Sequence, residues 1–404
     1  MIPVDKALQL VASNVSLTGV EDVALIDCLG RVVASDLASR LAHPPLAVSS
    51  MDGYALKAAD TLNAPVTLTQ IGESQAGGGF AGTLEAGQTV RIFTGAPLPS
   101  GADAIQMQEN TEANGDAIKI LESVPAGRFV RAAGMDFGIG DVLIKAGTVL
   151  GARHIGLAAA MNLASLPVRR KPRVAILATG NEVAMPGETL GPSQIISSNS
   201  FALHSYVIAM GGAPTILGIA GDSEEELREA FKGAMDFDVL VTIGGVSVGD
   251  YDLVGKVLKE VGLKQIFHKI AMRPGKPLLF GKIGELTVFG MPGNPVSTGV
   301  CSILFLKSAL ATMLGMAETD TPLQSVLLGE DLGANDQRQD YLRARLQSGP
   351  DGAPVAMPFT KQDSAMQARF AEADCLIVRK PHAEPIKAGQ RVEILLLRGS
   401  LLSL

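Results

Sequence analysis

Hydrophobic positions along this chain change rhythm several times, and each change marks a different kind of structure. Residues 4–14 set Val4, Ala7, Leu8 and Val11 at helical spacing. Residues 23–33 alternate towards a strand or short helix. His43-Pro44-Pro45 then forces an extended connection into a tight turn at Met51-Asp52-Gly53-Tyr54. Over 65–140 the chain breaks into short β-like runs (66–71, 89–94, 104–108, 117–120, 128–131) separated by Gly and Pro. That texture predicts a small β-barrel or sandwich, with a surface loop at 76–82. Helical character returns over 141–168, notably 154–161.

Residues 173–316 alternate strand and helix patterns. Strands are predicted at 174–178 and 215–219, with a helix at 201–210 between them. A helix beginning at Glu224 is capped by Asp222 or Ser223, since Ser223 and Glu226 have capping-box spacing. Val239–Ile243 is a continuous apolar, β-branched run, the pattern of a strand buried on both faces. A helical stretch at 253–261, short strands at 278–280 and 287–289, and a helix from Val296 follow. This order predicts an open, largely parallel α/β sheet. After Thr321 the runs 325–328, 341–346, 355–358, 375–378 and 392–397 predict a small all-β, barrel-like domain. The expected organisation is multidomain: 1–48 with 141–170 as an elongated helical linker unit, 49–140 as an inserted β-domain, 171–318 as the α/β domain and 319–404 as a C-terminal β-barrel.

Composition narrows the functional classes. With 404 residues the chain exceeds one core, and 47% hydrophobic against 19% charged residues excludes global disorder. Net charge is −7 and no long Lys/Arg run occurs, which argues against nucleic acid as the main partner but leaves room for local basic pockets. Cys28, Cys301 and Cys375 lack metal-ligand spacing, so a reduced, cytoplasmic protein is expected. No basic stretch leads into an apolar one at the N-terminus, so no signal peptide is visible. Residues 296–316 are the most membrane-like, yet Lys307 and several Ser and Thr residues make them a buried helix; no membrane association is expected.

Dinucleotide and P-loop fingerprints both fail: Gly-x-Gly-x-x-Gly is absent after the first strand of the α/β domain, and Gly275-Lys276 precedes Pro277. No nucleophilic triad can be read, and none of the five histidines has metal spacing. What recurs is carboxylates after successive strands: Glu182, Asp222 and Asp252. In an open α/β sheet such ends share one edge. Oxygen ligands so arranged suit Mg²⁺ held with substrate phosphates. The loop after Val239–Ile243 carries Gly244, Gly245, Ser247 and Gly249, whose glycines let a backbone approach an anion. Arg273-Pro274-Gly275-Lys276 adds two positive charges. Pro292-Gly293-Asn294-Pro295 opens a helix whose first position loses nothing by being proline. Each residue also has an ordinary explanation: a cap at Asp222, a loop acid at Glu182, a solvated Arg273. Their agreement on one edge favours a site for a phosphoanhydride with bound metal.

Five motifs in order, Met51-Asp52-Gly53-Tyr54-Ala55, Thr94-Gly95-Ala96-Pro97, Thr179-Gly180-Asn181-Glu182, Gly244-Gly245-Val246-Ser247-Val248-Gly249 and Pro292-Gly293-Asn294-Pro295-Val296-Ser297, resemble the molybdopterin molybdenumtransferase family, which includes the gephyrin E-domain. The resemblance spans the whole chain. It implies Mg²⁺-assisted insertion of molybdate into adenylylated molybdopterin with release of AMP. It also implies a homodimer whose sites are shared between subunits, and an upstream adenylyltransferase as a further partner. Carried over by motif, Asp52, Thr94 and Asp136 on one subunit face Glu182, Asp222, Ser247, Asp252, Arg273, Lys276, Pro292 and Pro295 on the other. The catalytic set is then Asp52, Asp136, Glu182, Asp222 and Asp252, with Glu182, Asp222 and Asp252 as metal ligands. Molybdenum itself would be held by the pterin's sulfurs. The chain departs from the family pattern at Asn181, at Ser198 before Asn199 and at Met135, each removing a negative charge. Two alternatives remain open: a related pterin-binding adenylyltransferase, and a non-catalytic scaffold of the gephyrin kind.

Overall fold

A six-stranded sheet carries the centre of the molecule. The computed structural model describes residues 1–245, 253–318, 322–349 and 352–397. In it the strands run in the order Ala213–Ala220, Arg173–Thr179, Val239–Ile243, Leu286–Met291, Leu279–Ile283, Lys264–Phe267. The first four are mutually parallel, and the last two join as antiparallel neighbours. Val239–Ile243 is buried at every position, and the period of two explains why its apolar run is unbroken. Val174, Ile176, Val239 and Val241 face helices Val4–Ser13 and Ser198–Ala209 and the long helix Pro295–Met313. Ala175, Leu177, Leu240 and Val288 face helices Glu224–Gly233 and Leu253–Glu260. The sheet is therefore covered on both sides, as the sequence predicts.

Helix Val4–Ser13 lies in the segment grouped from sequence with the N-terminal unit, but Val4, Ala7 and Val11 are buried in the α/β core. An amphipathic stripe says that a helix packs, not on what. Of the two cap candidates at Glu224–Gly233, Ser223 serves, its Oγ accepting the Glu226 N–H at 3.2 Å. Among the described residues one helix, Pro295–Met313, is long and apolar enough to cross a membrane, and 72% of its apolar window is buried inside the protein.

The inserted unit is one curled sheet in the order Ala104–Met107, Gly53–Leu56, Gln88–Ile92, Val66–Ser74, Ala117–Ile120, Thr111–Asn114. Its two edge strands are joined by the short turn Gln108–Asn110, so the sheet curls without closing. Chain entry and exit pair with each other, Val48–Ser49 against Val130–Arg131. The C-terminal strands do close. Gln339–Ser348 pairs with Pro354–Pro358 and Cys375–Arg379, and Gln324–Leu328 and Arg391–Leu396 complete a five-stranded barrel. A sixth short strand, Met272–Arg273, comes from the α/β domain and adds in parallel to Gln339–Asp340.

Where the linker enters the sheet, Asp238 accepts Arg170 Nη1 and Nη2 at 2.8 and 2.9 Å and the Arg173 amide at 2.7 Å. Burial pushes the Asp238 carboxyl up, but these hydrogen bonds and the two guanidinium charges outweigh it and hold the pKa below the usual carboxylate range.

Candidate active site

The parallel strands end level. Thr179 stands opposite Ala220, Ala178 opposite Ile243, and Ile243 opposite Met291. The loops that follow, at Gly180-Asn181-Glu182, Gly221-Asp222, Gly244-Gly245 and Pro292-Gly293-Asn294, therefore share one edge. Gly244 and Gly245 turn with φ of +85° and +64°, a conformation other residues resist. A side chain at Gly245 would also strike Val254.

Beside this edge opens a cavity of about 480 Å³. Of the residues singled out from sequence, Gly244, Gly245, Arg273, Lys276, Pro292, Gly293, Asn294 and Ser297 line it. Pro295 is the first residue of the helix behind Asn294. Glu182 and Asp222 stand on neighbouring loops rather than in the lining. Ser247, Gly249 and Asp252 lie outside the described residues. Asn181 and Asp222 hold each other: the Asn181 amide N–H donates to Asp222 Oδ2 at 3.1 Å, and the Asp222 N–H to Asn181 Oδ1 at 3.3 Å. The neutral Asn181 thus spares Asp222 a facing carboxylate. Asn199 Nδ2 donates to the Gly293 carbonyl at 2.6 Å and fixes that loop.

Three cations border the cavity, and they are not equivalent. Arg273, expected to hold an oxyanion, donates from Nε and Nη2 to both Asp340 oxygens at 2.9 and 2.6 Å. The parallel register puts Asp340 opposite it, so a fork-to-fork pair forms. Arg338 engages Asp336, with Nη2–Oδ2 at 2.6 Å, which draws that carboxyl far below its usual range. Lys276 is exposed and makes no side-chain hydrogen bond or ion pair among the described residues. It is the uncommitted cation.

Arg338, Gln362 and Ser364 also line the cavity, and sequence reasoning missed all three. They come from polar breaks between barrel strands, where the only available signal is the break itself. Ser364 is docked on the helix start: its Oγ accepts Asn294 Nδ2 at 2.8 Å, and its carbonyl accepts the Val296 N–H at 3.0 Å. That satisfies one of the orphan donors of the helix N-terminus.

A second cluster lies in the inserted unit. Gly53 pairs with Ile92, which brings the residues just before one strand and just after the other together. Asp52 Oδ1 accepts the Thr94 N–H at 2.7 Å and the Thr94 hydroxyl at 2.8 Å. Both bonds hold the Asp52 carboxyl below its ordinary value. Asp136 lines a cavity of about 510 Å³ together with Gly95, Arg131 and His43, and the His43 ring stacks on Phe137 at 5.4 Å. Met135 stands exposed at its rim. The two cavities have no lining residue in common.

Among the described residues no group of three or more His, Cys, Asp or Glu side chains is poised to hold a metal. Glu182 and Asp222, exposed at adjoining strand ends, supply two carboxylates, a donor set that fits Mg²⁺ completed by water and substrate phosphate.

A doubly wound sheet with a cation-bordered cavity at its carboxyl edge, joined to a curled inserted sheet and a closed barrel, describes an enzyme that handles an anionic small molecule. Three family descriptions match in order: MoeA N-terminal region (domain I and II) over residues 2–162, probable molybdopterin binding domain over 175–312, and MoeA C-terminal region (domain IV) over 325–397. The molybdopterin molybdenumtransferase of Nostoc is 35% identical, covering 80% of this chain and 77% of the relative. The Bacillus subtilis protein of that name is 33% identical, with 98% and 94% covered. A crystal structure of a molybdopterin biosynthesis MoeA protein from Pyrococcus superposes with a TM-score of 0.87 at 33% identity, covering 99% of this chain and all of that one. The chain belongs to the molybdopterin molybdenumtransferase family. It is an enzyme of molybdenum cofactor biosynthesis.

Proposed function

We propose that the enzyme inserts molybdate into adenylylated molybdopterin with release of AMP, assisted by Mg²⁺, in a cytoplasmic homodimer whose active sites are shared between subunits. The observation that carries this reading is the cavity at the strand ends, where Lys276 stands uncommitted beside Arg338 and a helix start. Lys276 binds the oxyanion, and Arg338 and the helix N-terminus add positive potential around it. Glu182 and Asp222, with Asp252 as a further expected ligand, would hold Mg²⁺, which when bound would neutralise charge on the phosphoanhydride. Asp136 approaches the substrate from the second cavity, and Asp52, bonded to Thr94, from the same inserted unit.

Sharing between subunits is supported by the two cavities having no lining residue in common within one chain. It is further supported by apolar side chains left exposed around the linker unit, with Ile26 87% and Ile139 75% exposed. Cys28, Cys301 and Cys375 are buried and unpaired, which suits a reducing compartment and leaves molybdenum to the pterin sulfurs. Incubating purified protein with adenylylated molybdopterin, Mg²⁺ and molybdate should release AMP only when molybdate is present. AMP release at equal rate without molybdate, or consumption of a nucleotide instead, overturns the reading.

A further inference from the structure

The C-terminal barrel reaches the oxyanion cavity through the loop carrying Gln362 and Ser364, and that loop is wrapped around a buried cation. Arg343 is 1% exposed and heads the largest fully buried side chains. It forms no ion pair among the described residues. Its donors go to the loop instead: Nε to Gln362 Oε1 at 3.2 Å and Nη1 to the Met366 carbonyl at 3.2 Å, with its own backbone N–H to Gln362 Oε1 at 3.0 Å. The Gln362 amide returns to the carbonyls of Arg343 and Phe359 at 3.0 and 2.9 Å, and the Phe359 N–H donates to the Arg343 carbonyl at 3.0 Å. Asp363 acts on the guanidinium only through space, burial holds its pKa below the usual value, and an apolar side chain fills a barrel without that penalty. What the guanidinium adds is planar, multidirectional hydrogen bonding that fixes one loop conformation.

We propose that Arg343 is a positioning residue: it holds the loop so that Gln362 and Ser364 complete the molybdate cavity. This rests on the reading of that cavity as the oxyanion site. The chain of contacts is continuous. Arg343 grips Gln362, which lines the cavity, and Met366, two residues beyond Ser364. Ser364 in turn meets Asn294 and Val296 at the helix start. If the loop is released, the cavity loses one wall while Lys276, carried by a different loop, is untouched.

The test titrates the full-length protein with sodium molybdate by calorimetry, alongside limited trypsin digestion after Lys361 within the same loop. Arg343→Lys keeps the charge but not the planar fork. It should weaken molybdate about tenfold, accelerate cleavage after Lys361 and move the melting temperature little; Arg343→Met should do so more strongly. A merely structural role would lower the melting temperature and leave molybdate affinity of the folded protein unchanged. Molybdate binding and cleavage within twofold of wild type in both variants overturns the proposal. Lys276→Ala serves as the control: wild-type binding there overturns the cavity reading itself, a distinct failure. Should Arg343→Met not fold, Gln362→Ala breaks the same bridge without opening the core, and wild-type cleavage after Lys361 in that variant equally overturns the proposal.

Discussion

Replacing Lys276 and Arg273 separately should split binding from stability. Lys276 has no partner to lose among the described residues, so Lys276→Ala leaves nothing unsatisfied. If its ammonium hydrogen-bonds a bound oxyanion, that bond contributes about 1.5–3 kcal/mol, or roughly 10- to 150-fold in affinity. Arg273 is different because both Asp340 oxygens are already its acceptors. The Asp340 side chain is 3% exposed, whereas Arg273 is 47% exposed. Arg273→Ala therefore leaves a buried carboxylate between the α/β domain and the barrel without its bidentate partner, with Arg338 acting on it only through space. Fully buried pairs lose roughly 3–5 kcal/mol when one partner is removed, and solvent at the arginine reduces this to about 2–3. For domains of this size that is a fall of roughly 5–10 °C in melting temperature. Molybdate titrations with parallel thermal scans read both quantities. Lys276→Ala should lose affinity at constant melting temperature; Arg273→Ala should melt earlier and bind within a few-fold of wild type below its transition. The reasoning fails if Arg273→Ala loses as much affinity as Lys276→Ala without melting earlier, or if Lys276→Ala binds molybdate normally.

Two further outcomes are expected. Mixing inactive Asp52→Ala and Asp222→Ala chains should restore activity to about a quarter of wild type on random exchange, since one intact site forms in each mixed dimer; a mixture that stays inactive after exchange is verified by mass places each site within one chain. Asp238→Asn should destabilise the protein by about 2–3 kcal/mol at neutral pH through loss of charge-assisted bonds to Arg170 and Arg173. Because the folded Asp238 pKa is depressed, this contribution is complete above the unfolded value near 3.9 and vanishes as pH falls through the folded one. Denaturant midpoints of the two proteins should therefore converge as the pH falls below the unfolded carboxylate value of about 3.9, and a gap that does not narrow refutes the assignment.

What could be read from sequence was whatever obeys a local period. The unbroken run Val239–Ile243, Gly244 and Gly245 after it and a cap at one of the two positions offered, Ser223, are set by neighbours within a few residues, and they stand where the pattern puts them. Pairings across the chain left no such trace. Arg273 and Asp340 are 67 residues apart, and Asn294 and Ser364 are 70 apart. No spacing rule links such pairs, so the Asp340 partner of Arg273 and three cavity residues went unseen. Closure of the barrel depends on Gln339–Ser348 finding Cys375–Arg379, whereas the very similar texture of the inserted unit gives an open, curled sheet. Alternation records that a strand has one buried face; it does not record whether the last strand meets the first.

The pairing of Val48–Ser49 with Val130–Arg131 also has a consequence for the history of such chains. Everything between those strands leaves and returns through two adjacent backbones, a gap of about 5 Å in any antiparallel pair. The inserted sheet is thus a cassette on a narrow stem. Lengthening, shortening or exchanging it leaves the strand register of the central sheet alone, and the entropy of closing a longer excursion grows only logarithmically. Asp52 and Thr94 therefore ride on a segment that can change in length and sequence, while Asp136 and the strand ends of the central sheet lie outside it.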